Sequence, residues 1–498
     1  MQRGRRSRLL VALALIGSAL LVAPVAASAQ TSEPPVVATV SGTPASQPMP
    51  PGFLGVSLEY NALHIYTGRD PKHVDPVLIQ LLRNLAPGQT PVVRIGGNSA
   101  DFSWFPIKGT LPPVGVRYAL TNGWVRMTRA FAAALGARLI MGVNLAGGRP
   151  AIAAAEARAF LRGIGTRYLQ ALELGNEPDL YNFAVWYTDR RGHSFTARPP
   201  TYDFDSYLSD FARWRSVLPP VPLIGPALAT LTWLGNMDQI LAADPGTKVV
   251  TAHRYALRAC PTPPTSPLFA SVPNLLADRS SAGLAQGVAP YVQMAHTRGV
   301  QFRLDELNSV ACSGKAGVSD TFASGLWMLD TLFNMASVGV DAINVHSLPG
   351  SKYELFTISH PHDRWQAFVH PDYYGMLMFE QAFPPGAQLM QVAQPDGPVK
   401  IWATRGTDGR QRIVIINEDP ASAQTVQLSV PGAGGAASLD WLKAPNLLAT
   451  SDVTLGNQSF GDETRSGLLR PARVDPITAT AGTYSVELPA TSAVLLTQ

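Results

Sequence analysis

Two glutamates stand in surroundings where a carboxyl group does chemistry. Glu177 lies in Gly175-Asn-Glu-Pro178, and Glu306 lies in Asp305-Glu-Leu-Asn-Ser309. Each directly follows a short apolar run, residues 170–174 and 300–304. A single glutamate at a strand end is ordinarily a solvated surface charge. Two of them facing each other across a cleft can split a glycosidic bond. One protonates the leaving oxygen and the other attacks the anomeric carbon, with the carboxyl groups about 5–5.5 Å apart in a retaining enzyme. Asn176, beside Glu177, can hydrogen-bond a sugar 2-hydroxyl, a contact that strengthens as the oxocarbenium-like transition state forms. Arg94 and Tyr255 can hold Glu306 ionised by charge and hydrogen bonding. A structural ion pair is the alternative for Arg94. His253 can orient Glu177 or floor a sugar pocket; otherwise it is a satisfied buried histidine.

Positioning such a pair requires a rigid frame. Short apolar runs at residues 52–58, 91–96, 138–144, 170–174, 221–226, 248–253, 300–304 and 341–346 alternate with segments of helical periodicity at 74–85, 125–135, 152–168, 207–217 and 322–338. Eight strand–helix units predict an α/β fold of the (β/α)8 TIM-barrel type over residues 52–383. Functional groups of such barrels sit at the C-terminal ends of the strands. Those ends carry Glu59, Arg94 to Asp101, Asn144, Glu177, His253 to Tyr255, Glu306 and His346. Strands four and seven lie across the mouth from each other, so Glu177 and Glu306 can meet. No G-x-G-x-x-G follows the first strand, which argues against an open dinucleotide-binding sheet. From residue 384 to 498 the helical period vanishes. Runs at 399–404, 411–416, 424–430 and 484–488 predict a C-terminal antiparallel β-sandwich. A further β-branched run, Val36 to Val40, lies in the segment 30–51 and is expected to lend that sandwich one strand.

The ordered segments Arg94-Ile-Gly-Gly-Asn-Ser-Ala-Asp101, Gly175-Asn-Glu-Pro178, His253-Arg-Tyr255, Asp305-Glu-Leu-Asn-Ser309 and Ser319-Asp-Thr-Phe322 resemble glycoside hydrolase family 79, the family of β-glucuronidases and heparanase. Asn-Glu-Pro alone marks only the wider clan of barrel glycosidases; the ordered set is more specific. The resemblance implies that Glu177 is the acid/base and Glu306 the nucleophile. It implies sugar-hydroxyl contacts for Glu59, Ser99 and Asp101, and a contact from Tyr353 to a glucuronate carboxylate. A tyrosine that the family often carries after the nucleophile is absent here; Ala311-Cys312-Ser313-Gly314-Lys315 stands in its place. Backbone donors at Ser313 and Gly314 remain, and Lys315 offers a charge or is a solvated lysine. The expected substrate is a β-glucuronide or a uronic-acid-containing oligosaccharide, cleaved from the chain end without a cofactor or metal. A clan-related exo-β-glycosidase for a neutral sugar and a non-catalytic carbohydrate-binding relative are the other readings. Trp104, Trp186 and Trp365 invite a sugar-stacking reading, whereas Trp327 lies in an apolar helical stretch and reads as core.

Composition agrees with an ordered protein. Hydrophobic residues make up 46% and charged residues 15%, which excludes a disordered chain. The net charge of +4 belongs to the first residues, Arg3, Arg5, Arg6 and Arg8. Beyond residue 29, basic and acidic residues balance, so nucleic-acid binding gains no support. Residues 1–29 read as a secretory signal with a faint twin-arginine character: a basic start, an apolar run from Leu9 to Val22, and Ala27-Ser28-Ala29 as a cleavage site. The run is shorter than the roughly 20 residues of a membrane span. The mature protein is therefore expected to be exported, periplasmic or extracellular, with no span. Only two cysteines occur, Cys260 and Cys312. They are either paired or two separate buried thiols; their places after neighbouring strands six and seven make pairing feasible. H-E-x-x-H, P-loop and G-x-S-x-G motifs are absent from the sequence.

Overall fold

The computed structural model describes residues 34–470 and 472–498. The signal-like segment 1–29 lies outside the described residues. Strand β1 spans Val36–Pro44. The next eight strands are β2 (Leu54–Glu59), β3 (Val92–Gly96), β4 (Arg138–Val143), β5 (Leu169–Leu174), β6 (Leu223–Leu228), β7 (Val249–Arg258), β8 (Gln301–Ala311) and β9 (Ala342–Ser347). They form a closed barrel in sequence order, every neighbouring pair parallel. Most of their residues are buried on both faces, as expected where helices cover the outside of a parallel sheet.

The main helices are α1 (Pro76–Asn84), α2 (Asn122–Leu135), α3 (Pro150–Gly163), α4 (Phe204–Arg215), α5 (Met237–Ala243), α6 (Ala282–His296), α7 (Phe322–Ser337) and α8 (Pro371–Ala382). Their starts follow capping chemistry. Asp75 accepts from the Val77 N–H with Pro76 in the first turn, and Thr121 accepts from the Trp124 N–H. Gly136 ends α2 in the left-handed region, with φ 75°. Helix α7 is apolar nearly all round because it is enclosed on every side. It packs on α8 so closely that a Cβ at Gly325 would lie 2.7 Å from the Pro371 carbonyl oxygen.

The C-terminal domain adds β10 (Gln388–Val392), β11 (Val399–Arg405), β12 (Gln411–Asn417), β13 (Gln424–Ser429), β14 (Ala436–Lys443), β15 (Thr454–Leu455), β16 (Asp475–Thr478), β17 (Thr483–Leu488) and β18 (Ser492–Thr497). The sheet runs β15-β14-β18-β12-β11-β10-β1-β13-β17, with β16 on β14, and curls over its own core of Val40, Ile401, Ile413, Ile415, Val426, Leu428 and Val486. Strand β1 lies inside this sheet, antiparallel to β10 and parallel to β13. That parallel pair departs from the all-antiparallel expectation. It arises because β1 enters from the far N-terminus rather than through a hairpin. Trp402 of β11 fixes the domain to the barrel: it stacks on Phe333 of α7 at 5.5 Å and its indole N–H donates to Asp330 at 2.8 Å.

Candidate active site

Side chains from three other strands converge on one guanidinium. Arg94, on β3, is fully buried. Its Nε and Nη2 reach Glu173 Oε2 of β5 at 2.8 and 2.7 Å. Its Nη1 donates to Glu306 Oε2 at 2.7 Å and to Ser57 Oγ of β2 at 3.2 Å. Its Nη2 also donates to Asn176 Oδ1 at 2.8 Å. A planar fork of donors suits this arrangement, where an ammonium would serve only one partner well. Burial opposes its charge, but Glu173, Asp305 and Glu306 outweigh burial and hold Arg94 firmly protonated.

Glu306 sits at a break in the strand pairing. Ala252 of β7 pairs with Leu304 and His253 pairs with Glu306, so Asp305 is an extra residue in β8. Such a bulge re-aims the side chains that follow it. The second Glu306 oxygen accepts from the Tyr255 hydroxyl at 2.7 Å. Burial raises the Glu306 pKa, but the His346, His253 and Arg94 charges and the Tyr255 bond prevail. The carboxylate is held well below the usual range and stays ionised.

Glu177 follows β5 in a left-handed conformation, φ 52°. It is more open than Glu306, with side-chain exposures of 19% against 9%. Its Oε1 is 3.0 Å from His253 Nδ1. Burial pulls the His253 pKa down, yet Glu306, Asp305 and the Glu177 bond raise it to about 9. The imidazolium then donates from Nδ1 to Glu177, with Asp305 Oδ1 3.5 Å from Nε2. Atoms of Glu177, His253 and Glu306 lie within 4.8 Å of one another. One oxygen of each carboxylate thus lies within 4.8 Å of the other, so the two groups face each other across the barrel mouth. His253, protonated and donating to Glu177, has no ring lone pair to offer a cation at this trio.

The remaining sequence candidates divide. Asn176 has its oxygen on Arg94 and an N–H on Asn98 Oδ1 at 3.1 Å, which fixes the amide's orientation. Glu59 is buried beside His346, 3.8 Å away, and accepts from the Ser99 N–H at 2.7 Å and from the Ser99 hydroxyl. Burial foremost raises the Glu59 pKa. Ser99 also accepts from the Tyr60 N–H, so its hydroxyl positions Glu59. Asp101 differs from the expected sugar contact. Its oxygens accept from the Leu145, Ala146 and Asn176 N–H groups and from the Tyr181 hydroxyl, tying three loops together. Tyr353 reaches the site, with its ring 6.0 Å from Tyr255 and 5.8 Å from His346.

Residues 312–314 all have positive φ, 66°, 67° and 77°. This turn packs on the next loop: the Lys352 N–H donates to the Ser313 carbonyl at 2.9 Å, and a Cβ at Gly314 would lie 3.1 Å from the Tyr353 nitrogen. Lys315 is exposed. Cys260 and Cys312 form a disulfide with Cα atoms 5.7 Å apart. Trp104 is buried, Trp327 is core as its sequence suggests, and Trp365 is partly buried and stacks on His360 with centroids 4.0 Å apart. Sequence reasoning missed Glu173 and Ser57, and it placed His346 at a strand end without giving it a role. A glutamate inside the apolar run Leu169–Leu174 was the available signal for Glu173.

Comparison with known proteins agrees with this picture. Residues 401–495 match the glycosyl hydrolase family 79 C-terminal beta domain. A Beta-glucuronidase of Aspergillus niger is 23% identical over 89% of this chain and 90% of its own length. A Beta-glucuronidase of Neurospora crassa is 24% identical over 63% of this chain; the match spans 60% of that relative. The solved 4-O-alpha-L-rhamnosyl-beta-D-glucuronidase of Fusarium oxysporum 12S superposes with a TM-score of 0.70 at 19% identity, covering 93% of this chain and 100% of that one. These matches bear out the family 79 resemblance and the barrel-plus-β-domain fold.

Proposed function

We propose that this chain, a glycoside hydrolase, is an exported, retaining exo-β-glucuronidase. The opposed Glu177 and Glu306, with oxygens within 4.8 Å, carry the reading. Glu306 attacks the anomeric carbon as Glu177 gives its proton to the departing glycosidic oxygen. Glu177 then takes a proton from water, which attacks the same carbon and releases Glu306. Arg94 and Tyr255 keep the nucleophile ionised, and Asn176 presents an N–H to the 2-hydroxyl.

A glucuronate is supported by the named relatives, by Tyr353 and by the backbone at Ser313 and Gly314, whose N–H groups can donate to a carboxylate. Charge-assisted bonds contribute roughly 1.5–3 kcal/mol each, so two imply a preference of about a hundredfold or more over glucose. Action at a chain end is part of the proposal, and the turn at 312–314, packed on Lys352 and Tyr353, is the segment that would block the cleft beyond the terminal sugar. Export is supported by the N-terminal segment and the Cys260–Cys312 bond.

The deciding measurement is kcat/KM on p-nitrophenyl β-glucuronide against the β-glucoside, with proton NMR of the first sugar released. A preference for the glucuronide and β-configured product are expected. Equal rates would overturn the acid-sugar assignment, and an α-product would overturn retention. A 2-fluoro glycoside should label Glu306, and Glu306→Ala should lose nearly all activity. Glu177→Ala should retain turnover of substrates with very good leaving groups.

A further inference from the structure

Two loops at the Glu177 end of the barrel carry apolar side chains into solvent. One follows β3 and includes residues 105–118. The other follows β5 and holds a two-stranded antiparallel hairpin, Val185–Thr188 with Ser194–Thr196. Alternation along the hairpin turns Trp186 inward, where it is buried and stacks on Phe102 with centroids 4.5 Å apart. Val185 and Tyr187 then face outward, and Tyr187 stacks on Phe195 of the facing strand at 4.8 Å. The solvated face of an antiparallel pair ordinarily carries polar side chains. This one carries Val185, Tyr187 and Phe195.

The two loops meet. The Trp186 indole N–H donates to the Val114 carbonyl at 3.2 Å, and Gly115 lies against the indole, where any Cβ would collide with the ring. The uncovered apolar side chains thus belong to one surface: Leu111, Val114, Phe183, Val185 and Phe195, with exposures from 41% at Phe195 to 80% at Leu111. Uncovered apolar groups gathered in this way mark an interaction surface. Charge gathers there too. Residues 105–118 and 183–198 contain one acid, Asp189. It is taken by His193, 3.1 Å away, and by the Arg191 and His193 N–H groups. Lys108, Arg117, Arg190 and Arg191 are exposed, and none has a carboxylate partner among the described residues. The Arg117 guanidinium lies 4.0 Å from the Phe102 ring on which Trp186 stacks, so this cation borders the apolar surface. Beyond residue 29 the chain's basic and acidic residues balance, which makes the excess here a local one.

We propose that this surface docks on an anionic lipid leaflet. Its apolar side chains enter between the headgroups while the neighbouring cations lie on the phosphates. Two other partners suit it less. A second copy meeting this face across a two-fold axis would set the same unpaired cations against each other. A hydrated acidic polysaccharide would pair with the cations but would gain little from Leu111, Val114 and Val185, whose removal from water needs an apolar partner. Docking would hold the Glu177 end of the barrel close to the leaflet.

The test is co-sedimentation with vesicles of phosphatidylglycerol and of phosphatidylcholine. The chain from residue 30 onward is used, so that the apolar run Leu9 to Val22 cannot itself insert. Binding to phosphatidylglycerol is expected, about tenfold weaker binding to phosphatidylcholine, and release by added salt. Each basic residue near an anionic surface contributes roughly a factor of five, so Arg190→Glu with Arg191→Glu should weaken binding about twenty-fivefold or more. Leu111→Ser with Phe183→Ser keeps the charge and should weaken it about tenfold. All four positions are exposed, and unchanged melting temperatures would show that both variants are folded. If a variant melts early, the contrast between the two vesicles and its salt dependence in the unaltered protein still decide. Equal binding to the two vesicles overturns the proposal, as do binding to neither and binding that both folded variants retain in full. Retention on heparin without binding to vesicles would assign the face to an acidic polysaccharide. Dimerisation that Leu111→Ser with Phe183→Ser abolishes, again without vesicle binding, would assign it to a second copy.

Discussion

Arg94 governs what Glu306 can do, and Tyr255 completes the arrangement from the other side. Each bonds a different oxygen of the same carboxylate. Removing the Tyr255 hydroxyl takes away a donor that favours the ionised form. The Glu306 pKa must then rise, and the proposed nucleophile is lost at a higher pH. Tyr255→Phe is therefore expected to shift the acidic limb of the kcat/KM profile upward and to lower kcat about tenfold to a hundredfold, the worth of a bond to a charged group. An unmoved acidic limb would count against this role. His253 works in the opposite sense. Its pKa is raised from 6.5 to about 9, so its charged form contributes stability that is complete below 6.5 and is lost as pH rises through 9. His253→Gln should flatten the loss of thermal stability between those values, as pH-resolved melting curves would show.

At the scale of elements, β7 and β8 do more than close the barrel. They run past its rim, to Arg258 and Ala311, and their extensions carry Tyr255 and lead to the two cysteines. The disulfide closes a 52-residue separation. In the chain-entropy view such a link contributes about 4 kcal/mol, chiefly by restricting the unfolded chain. Cys312→Ser should lower the melting temperature. It should also raise KM for a glucuronide more than it lowers kcat, because the turn at Ser313 and Gly314 loses its anchor while Glu306 keeps its own. A KM unchanged beside a lowered melting temperature would confine the bond to a structural role. Helix α8 holds another sensitive group. Burial raises the Asp372 pKa to about 8, with Ser324 opposing it and Asp320 adding to it. An acid raised in this way favours folding below its unfolded value near 4 and costs stability as pH climbs toward 8. Asp372→Asn should therefore raise the melting temperature at pH 8 by a few degrees and leave it little changed at pH 4.

The whole molecule depends on its first described strand. Strand β1 pairs on both sides, with β10 and β13, so it joins the two halves of the curled sheet. A chain beginning at Pro48 would expose both edges and leave the core around Val40 open. It is expected to aggregate or to melt far below the full chain, with the β domain failing before the barrel. Cooperative unfolding of the truncated chain at the full-length temperature would show that β1 is dispensable. Trp402 on Phe333 and Asp330 would pass the loss of the β domain to α7, uncovering Phe333 and leaving Asp330 without its indole donor.

Glu177 and Glu306 were legible because local sequence places them: an apolar run ends, and the next residues must lie at the mouth of a barrel. The eight strands were legible for the same reason, since burial on both faces demands runs of Val, Ile and Leu. Arg94 and Tyr255 could be named as partners of Glu306 from residue type and strand end. The bulge at Asp305, the role of Glu173, the commitment of Asp101 to three loops and the place of β1 between β10 and β13 could not be read. Each depends on contacts between segments tens to hundreds of residues apart, and a side chain's partners there are set by packing, not by its neighbours in sequence. Local sequence thus determined which residues reach the mouth of the barrel. The tertiary structure alone decided which of them touch each other, because hydrogen bonding and charge act over a few ångströms of space, however far apart the residues lie along the chain.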